Sequence, residues 1–254
     1  MPELVSVIIT TYNSAKEIER CLLSVLNQSY SNIEILVCDD ASTDETEQIV
    51  KDTLKGFLKW EWIQNKANFG GPAKGRNVGL VHSRGDFIAF CDADDEWRNK
   101  KIEAQIEFIR VTGFDFCGTN CQNVGAADFK KYKGQLSLND QIRRNRIPLS
   151  SLFLSRNCLS IDGNFSELYD YRGVEDYDFT LRTLVNGYKG GVIENDLTIY
   201  HFLDDSLSHK SIAINERRRA IVLKNLKIGT FNSSVYRWFI YILLIIRVKV
   251  WSLN

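Results

Sequence analysis

VSVIITTYN (Val5–Asn13), IEILVCDDASTD (Ile33–Asp44) and FIAFCDADD (Phe87–Asp95) share one pattern: a short apolar run that stops abruptly in polar residues. Apolar runs of this length, rich in β-branched and aromatic residues, suit strands covered on both faces, as a parallel sheet requires. Helical patterns lie between them. Ser14 with Glu17, and Ser42 with Glu45, read as capping boxes. The first opens a helix through Ile18, Leu22, Val25 and Leu26, and the second a helix running to about Lys55. Leu58–Ile63 alternates like a strand, Gly70–Arg84 is a glycine-punctuated helix, Lys100–Val111 is a helix with Ile102, Ile106 and Ile109 on one side, and Phe114–Gly118 is a further strand. Strands alternating with helices in this way predict βαβ units and a doubly wound, mostly parallel sheet. Ligands of such sheets bind beyond the carboxyl ends of the strands. The polar clusters Thr11-Tyr12-Asn13, Asp39-Asp40 and Asp92-Ala93-Asp94-Asp95 should therefore converge on one crevice. From about Asn120 to Asn157 the periodicity weakens, and the pattern sharpens again at Glu175-Asp176, which opens a helix through Val185.

The chain has 254 residues, 44% of them hydrophobic, with 32 Lys+Arg against 32 Asp+Glu. That composition excludes disordered and fibrous classes and supports a packed core without staples. Six cysteines are scattered through apolar segments; only Cys117 and Cys121 lie close together, with no second pair or nearby His to complete a zinc site. They are expected to be reduced core residues of a cytosolic protein. The amino terminus opens directly into a strand pattern, without a signal-like region, which argues against secretion.

Each polar cluster suggests a chemistry. Asp92, Asp94 and Asp95 present hard oxygen donors where the backbone leaves a buried strand, a setting for Mg²⁺ or Mn²⁺ shared with substrate phosphates. Asp39 and Asp40 can accept hydrogen bonds from a uracil imide or ribose hydroxyls. The stretch Asn68–Gly79 (NFGGPAKGRNVG) matches neither a P-loop nor a dinucleotide fingerprint. Its glycines would let a helix start lie close to a ligand, and Arg76 is either a bidentate phosphate partner or structural. Glu175 and Asp176 either complement a helix dipole or supply a general base.

VSVIITTYN, DDASTD, NFGGPAKGRNVG, FCDADD, the IDGNF string at 161–165 and GVEDYDFTLR at Gly173–Arg182 together, in this order, resemble the family-two inverting glycosyltransferases of GT-A fold. The resemblance implies a Rossmann-like α/β sheet with flanking helices and a nucleotide-sugar donor, UDP-linked by expectation. Thr11, Tyr12, Asn13, Asp39, Asp40, Asn68, Gly71, Asp92 and Ala93 would surround the donor, with Arg76 near its phosphates. Asp94 would bind the metal, with Asp92 and His201 as further candidates. Asp176 would be the base, and Asp95, Glu175 and Arg182 would position donor or acceptor. The resemblance also implies a saccharide acceptor, lipid-carrier-linked by expectation, in surface polysaccharide (O-antigen or capsule) synthesis. The family often places a metal-binding His just before a Ser-x-Ser segment; here Ser206-Leu207-Ser208 puts Leu203 in that place, which leaves His201, His209 or water to complete the site. A nucleotidyltransferase on a similar fold and a non-catalytic nucleotide-sugar-binding partner are the rival readings.

The charge is uneven. His209–Asn254 carries nine basic residues and one acidic one, so the body is acidic and the tail basic. Within the tail, WFIYILLII (Trp238–Ile246) is nine residues long, below the ~20 needed to span a bilayer. Flanked by Arg237, Arg247 and Lys249, it suits an amphipathic helix on anionic lipid, or else one packed on the domain or in a homodimer. Its aromatic-aliphatic run and the acidic body argue against nucleic acid. The expected division is a transferase domain over 1–229, with a nucleotide-sugar half to 119 and an acceptor half from 120, followed by a membrane-associating or packing helix over 230–254 on the inner face of the cytoplasmic membrane.

Overall fold

A computed structural model describes residues 2–125, 130–160, 164–202 and 212–226. The tail segment 230–254, His209 and the first three residues of the IDGNF string lie outside the described residues.

The first half is a run of βα units: β1 (Val5–Thr11), α1 (Ile18–Leu26), β2 (Ile33–Asp39), α2 (Thr46–Thr53), β3 (Trp60–Gln64), α3 (Ala73–His82) and β4 (Phe87–Asp92). β2 pairs parallel with β1 and β3, and β4 pairs parallel with the other edge of β1. The strand order reverses between β1 and β4, which opens a crevice at their carboxyl ends. β5 (Glu96–Trp97), α4 (Lys101–Thr112), β6 (Phe116–Val124), β7 (Gly134–Leu136), α5 (Leu138–Arg143), β8 (Phe153–Ser155), α6 (Glu175–Val185), β9 (Gly190–His201) and α7 (Ile212–Asn225) follow. One sheet of order β3-β2-β1-β4-β8-β6-β9-β5 results, with β7 also on β9; β8 runs antiparallel to both β4 and β6.

All seven residues of β1 and of β2 are buried, as their unbroken apolar runs predict. Val5, Val7 and Ile9 face a core shared with Ile18, Leu22, Val50 and Ile102, whereas Ile8 faces the opposite core with Ala73, Leu80, Phe90 and Phe179. Each such side chain contributes roughly 1.5–3 kcal/mol by leaving water, so both faces anchor the strands whose ends carry the polar clusters.

Several boundaries differ from the sequence reading, with physical reasons. Leu58 is 94% exposed and lies before β3. The strand expected to end at Gly118 continues to Val124, because β6 pairs with β9 through a register irregularity at Asn120. Neither capping box forms. Ser14 Oγ donates to Tyr12 O instead, and the Asp44 carboxylate, not Ser42, accepts the Thr46 N–H at 3.1 Å. Two glycines of α3 serve packing on the sheet: a Cβ at Gly79 would meet Ile8 Cγ2 at 2.6 Å, and one at Gly75 would meet Thr10 Cγ2 at 3.1 Å. Among the described residues no helix is long and apolar enough to cross a membrane, and all six cysteines are buried thiols.

Candidate active site

The carboxyl ends of β1, β2 and β4 meet α3, the start of α6 and the segment around Asn145 at a crevice of about 1680 Å³. Thr11, Tyr12, Asn13, Asp40, Asn68, Gly71, Arg76, Asp92, Ala93, Asp94, Glu175 and Asp176 all line it, so residues read from five separate motifs share one space. Asp39, Asp95, Arg182 and His201 do not line it.

At the β2 end the backbone is fixed by its own acids. Asp39 is fully buried; it accepts the Ser42 N–H at 2.8 Å, the Ser42 hydroxyl at 2.5 Å and Gln64 Nε2 at 3.1 Å. Ser42 Oγ in turn accepts the Asn13 N–H at 2.8 Å, which holds Asn13 at φ 48 next to the loop of Ala41 at φ 64. Asp40 accepts Asn65 Nδ2 at 3.0 Å and the N–H groups of Phe69 and Gly70 at 3.1 Å, so it ties the glycine-rich loop to the sheet. Ser42, read from sequence as a helix cap, is thus a brace between β1 and β2.

At the β4 end the three aspartates part company. Asp92 Oδ1 accepts Thr10 Oγ1 at 3.1 Å and Arg76 Nη2 at 2.9 Å. Arg76, 2% exposed, gives its other amine to Glu175 Oε1 at 2.5 Å and stacks on Phe165. Two carboxylates engage the guanidinium where it lines the crevice, and although burial opposes its charge, Asp92 and Glu175 hold it protonated. This clamp joins β4 to the start of α6. Among the described residues Asp94 has no ion pair, and burial followed by the charge of Asp92 pushes its carboxyl up to about 6. Asp95 is fully buried, accepting the Ser150 hydroxyl and the His201 N–H at 3.1 Å, and burial raises its carboxyl well above the ordinary range. It shapes the loop and has no access to a ligand in the crevice.

His201 lies outside the crevice lining. Its Nε2 lies 2.6 Å from Glu96 Oε1, which pairs with Arg20 at 3.2 Å, while Arg20 donates to Asp94 O at 2.7 Å. That chain braces the Asp94 loop from behind. Arg182 faces the other side of α6, bonded to Asp178 at 2.9 Å and Asn164 O at 2.8 Å, so a positioning role in the crevice is excluded by its placement. Among the described residues no three His, Cys, Asp or Glu side chains converge as a closed cation site. The donor set that does fit a divalent ion is the unpaired Asp94 with Asp92 beside it, two hard carboxylates that leave coordination positions for substrate oxygens.

Across the crevice, Asp176 stands in the first turn of α6. Its Oδ1 accepts the Tyr177 N–H at 2.7 Å and its Oδ2 accepts Asn145 Nδ2 at 2.9 Å. Burial and the neighbouring Glu175 charge push the carboxyl up to about 6, against the pull of Arg76 and these hydrogen bonds. A carboxylate of that basicity, aimed at a cleft, suits proton abstraction near neutral pH. Asn145 went unread in the sequence, because a lone asparagine in a region of weak periodicity carries no signal until the fold brings it to Asp176.

Fold and site together define an α/β protein with an acidic strand-end cluster opposite a helix-borne carboxylate. The family model described as glycosyl transferase family 2 matches residues 6–165, and the chain belongs to this family. TarS of Staphylococcus aureus, a poly(ribitol-phosphate) beta-N-acetylglucosaminyltransferase, is 31% identical over 215 residues, which is 82% of this chain and 37% of that protein. The Escherichia coli protein WfaP, a UDP-Glc:alpha-D-GlcNAc-diphosphoundecaprenol beta-1,3-glucosyltransferase, is 32% identical over 193 residues, 74% of this chain and 72% of that one. An uncharacterized glycosyltransferase of Haemophilus influenzae is 39% identical over 106 residues, 42% of each chain. The match thus spans less than half the length of TarS and of the Haemophilus protein. The crystal structure of S. aureus TarS 1–349 in complex with UDP superposes with a TM-score of 0.73 at 25% identity, covering 96% of this chain and 71% of that one. The sheet with its flanking helices is the GT-A fold.

Proposed function

We propose that the chain is an inverting glycosyltransferase that moves a sugar from a nucleotide-sugar, a UDP-sugar in the first instance, to a hydroxyl of a saccharide acceptor in surface polysaccharide synthesis. The observation that carries the reading is Asp176, a carboxylate of raised pKa, facing the Asp92–Asp94 loop across one crevice. The UDP complex of TarS supports a uridine nucleotide, and the printed activity of WfaP supports a lipid-diphosphate-linked acceptor.

In this mechanism the nucleotide lies against the ends of β1 and β2, where Thr11, Tyr12 and Asp40 line the crevice. Asp94, with Asp92 beside it, would hold a Mg²⁺ or Mn²⁺, and that ion would supply charge neutralisation for the departing diphosphate. Asp176 takes the proton of the acceptor hydroxyl, whose oxygen attacks the anomeric carbon from the face opposite the leaving group. Asn145 and the Tyr177 N–H orient the carboxylate so that its free lone pairs face the crevice. One displacement inverts the anomeric centre, and an α-linked donor yields a β-glycoside. Residues 1–229 form the transferase domain, and the basic 230–254 tail places the enzyme on the inner face of the cytoplasmic membrane.

Incubation with UDP-sugars and acceptor extracts, followed by product analysis, tests the reaction type. Released UDP together with a β-glycoside supports the proposal. Released pyrophosphate would instead indicate nucleotidyl transfer, and donor binding without turnover would indicate a binding partner. The tail is tested separately: a chain truncated after Gly229 should pellet less with anionic liposomes than the intact chain, and equal pelleting removes the membrane role.

A further inference from the structure

On the β6–β9 side of the crevice, Lys130, Tyr132, Asn145 and Arg146 form a wall that the donor reading leaves unused. Arg146 is set by a buried support. Gln141, fully buried on α5, accepts the Arg146 N–H at 2.9 Å, and its amide donates to Thr180 Oγ1 at 2.6 Å and to Asn145 Oδ1 at 2.9 Å. Asn145 donates to Asp176, so one glutamine places both the orienting partner of the base and the adjacent arginine. The guanidinium stacks on Tyr132 at 5.0 Å.

Arg76 in the same crevice meets two carboxylates, whereas among the described residues Arg146 has no ion pair, and its Nε is buried without a hydrogen-bond partner. Asp140, its acidic neighbour, is occupied by the hydroxyls of Tyr132 and Ser137. Among the described residues Lys131 and Lys133 pair with Asp196 and Glu194, while the exposed Lys130, the one of the three that lines the crevice, meets no carboxylate. A partly buried guanidinium without a partner is costly, and on an aromatic face it is suited to bidentate phosphoryl oxygens.

Resting on the proposed transfer to a phosphate-linked acceptor, we infer that Arg146, with Lys130, is the subsite that holds the acceptor's phosphoryl group while its hydroxyl meets Asp176. The anion in question is the acceptor's because inverting displacement puts the attacking hydroxyl and the leaving diphosphate on opposite faces of the sugar. Arg146 shares its support with the base, on the attacking side.

The test is calorimetric titration of the full chain saturated with UDP. The probes are GlcNAc α-diphosphoryl citronellol for a lipid-diphosphate source, ribitol 5-phosphate for a polyol-phosphate source, and neutral octyl α-GlcNAc. At least one phosphorylated probe should bind about tenfold or more tightly than the neutral one, with a preference that weakens as salt rises, and which one does so identifies the source. Arg146→Gln and Lys130→Gln should each reduce that preference, Arg146→Lys should recover part of it, and Lys55→Gln, an exposed site outside the crevice, should leave it unchanged. Retained UDP binding by each variant shows that the fold and donor site are intact, and Lys130→Gln, a surface change, keeps the test open if Arg146→Gln fails to fold. A chain that binds UDP but treats all three probes alike, or keeps the preference in both Gln variants, overturns this inference alone. A chain that does not bind UDP overturns the donor reading and this inference with it.

Discussion

Replacing Asp176 by Asn should abolish catalysis while stabilising the fold, a combination that damage to the structure cannot imitate. The amide keeps the shape and can still accept the Tyr177 N–H, but it cannot take a proton. Loss of a general base costs roughly 10²–10⁴ in rate, about 3–5 kcal/mol of transition-state stabilisation. Stability moves the other way. Between the ordinary aspartate value near 3.8 and about 6 the folded chain keeps a proton on Asp176 that the unfolded chain has lost. Unfolding therefore becomes easier as pH rises through that window, by about 3 kcal/mol in full at roughly 1.4 kcal/mol per tenfold. Removing the charge recovers that amount less the weakened bond to Asn145, leaving about 2 kcal/mol, or about 4–8 °C in Tm for a chain of this size. The assay pairs sugar transfer at pH 7.5 with thermal unfolding at pH 5 and 7.5. Wild-type kcat/KM should rise tenfold per pH unit below about 6 and level off above it, and the Tm gain of Asp176→Asn should be larger at pH 7.5 than at pH 5. A variant that retains a tenth of the activity, or that melts lower than wild type at both pH values, would refute the assignment of Asp176 as base.

Three further outcomes follow from particular contacts. Arg76→Gln leaves Asp92 and Glu175 without their buried cation, so denaturant unfolding should show a loss of about 3–5 kcal/mol; a loss under 1 kcal/mol would mean that the clamp carries no structural weight. Asp40→Ala removes the acceptor of three hydrogen bonds that fix the 65–70 loop, and amide exchange at Phe69 and Gly70 should quicken at least tenfold with weaker UDP binding, whereas unchanged protection would contradict the tie. Asn145→Ala withdraws a hydrogen bond that favours the ionised form of Asp176, so the acid limb of the pH–rate profile should move to higher pH; an unmoved limb would show that Asn145 does not tune the base.

The first half of the fold was legible because its signals are local. β1, β2 and β4 are largely apolar runs that stop in polar residues, and Ile102, Ile106 and Ile109 mark the buried side of α4 by spacing alone. The convergence of Thr11, Asp40, Asp92 and Asp94 followed from topology. What stayed hidden depends on partners far away in the chain. β8 is three residues long and exists as a strand because β4 and β6 flank it, and β6 runs on through Thr119, Asn120 and Gln122 because β9 pairs with it. Sequence alone leaves Arg76 as a phosphate partner or a structural residue and His201 as one of several metal candidates; only the fold brings Glu175 of α6 to Arg76 and Glu96 of β5 to the His201 ring. Ser14 and Ser42 had the spacing of caps, but β1 and β2 lie close enough for the two loops to bond to each other instead.

The most direct test of the account is calorimetric titration of UDP into the intact chain and into Asp94→Ala, with and without Mn²⁺. The account predicts binding to the intact chain that tightens at least tenfold with Mn²⁺, and a variant that keeps its fold but loses the metal-dependent gain. UDP binding that is indifferent to metal and to Asp94, or no UDP binding under any metal condition, would contradict the placement of the nucleotide diphosphate at the ends of β1 and β4.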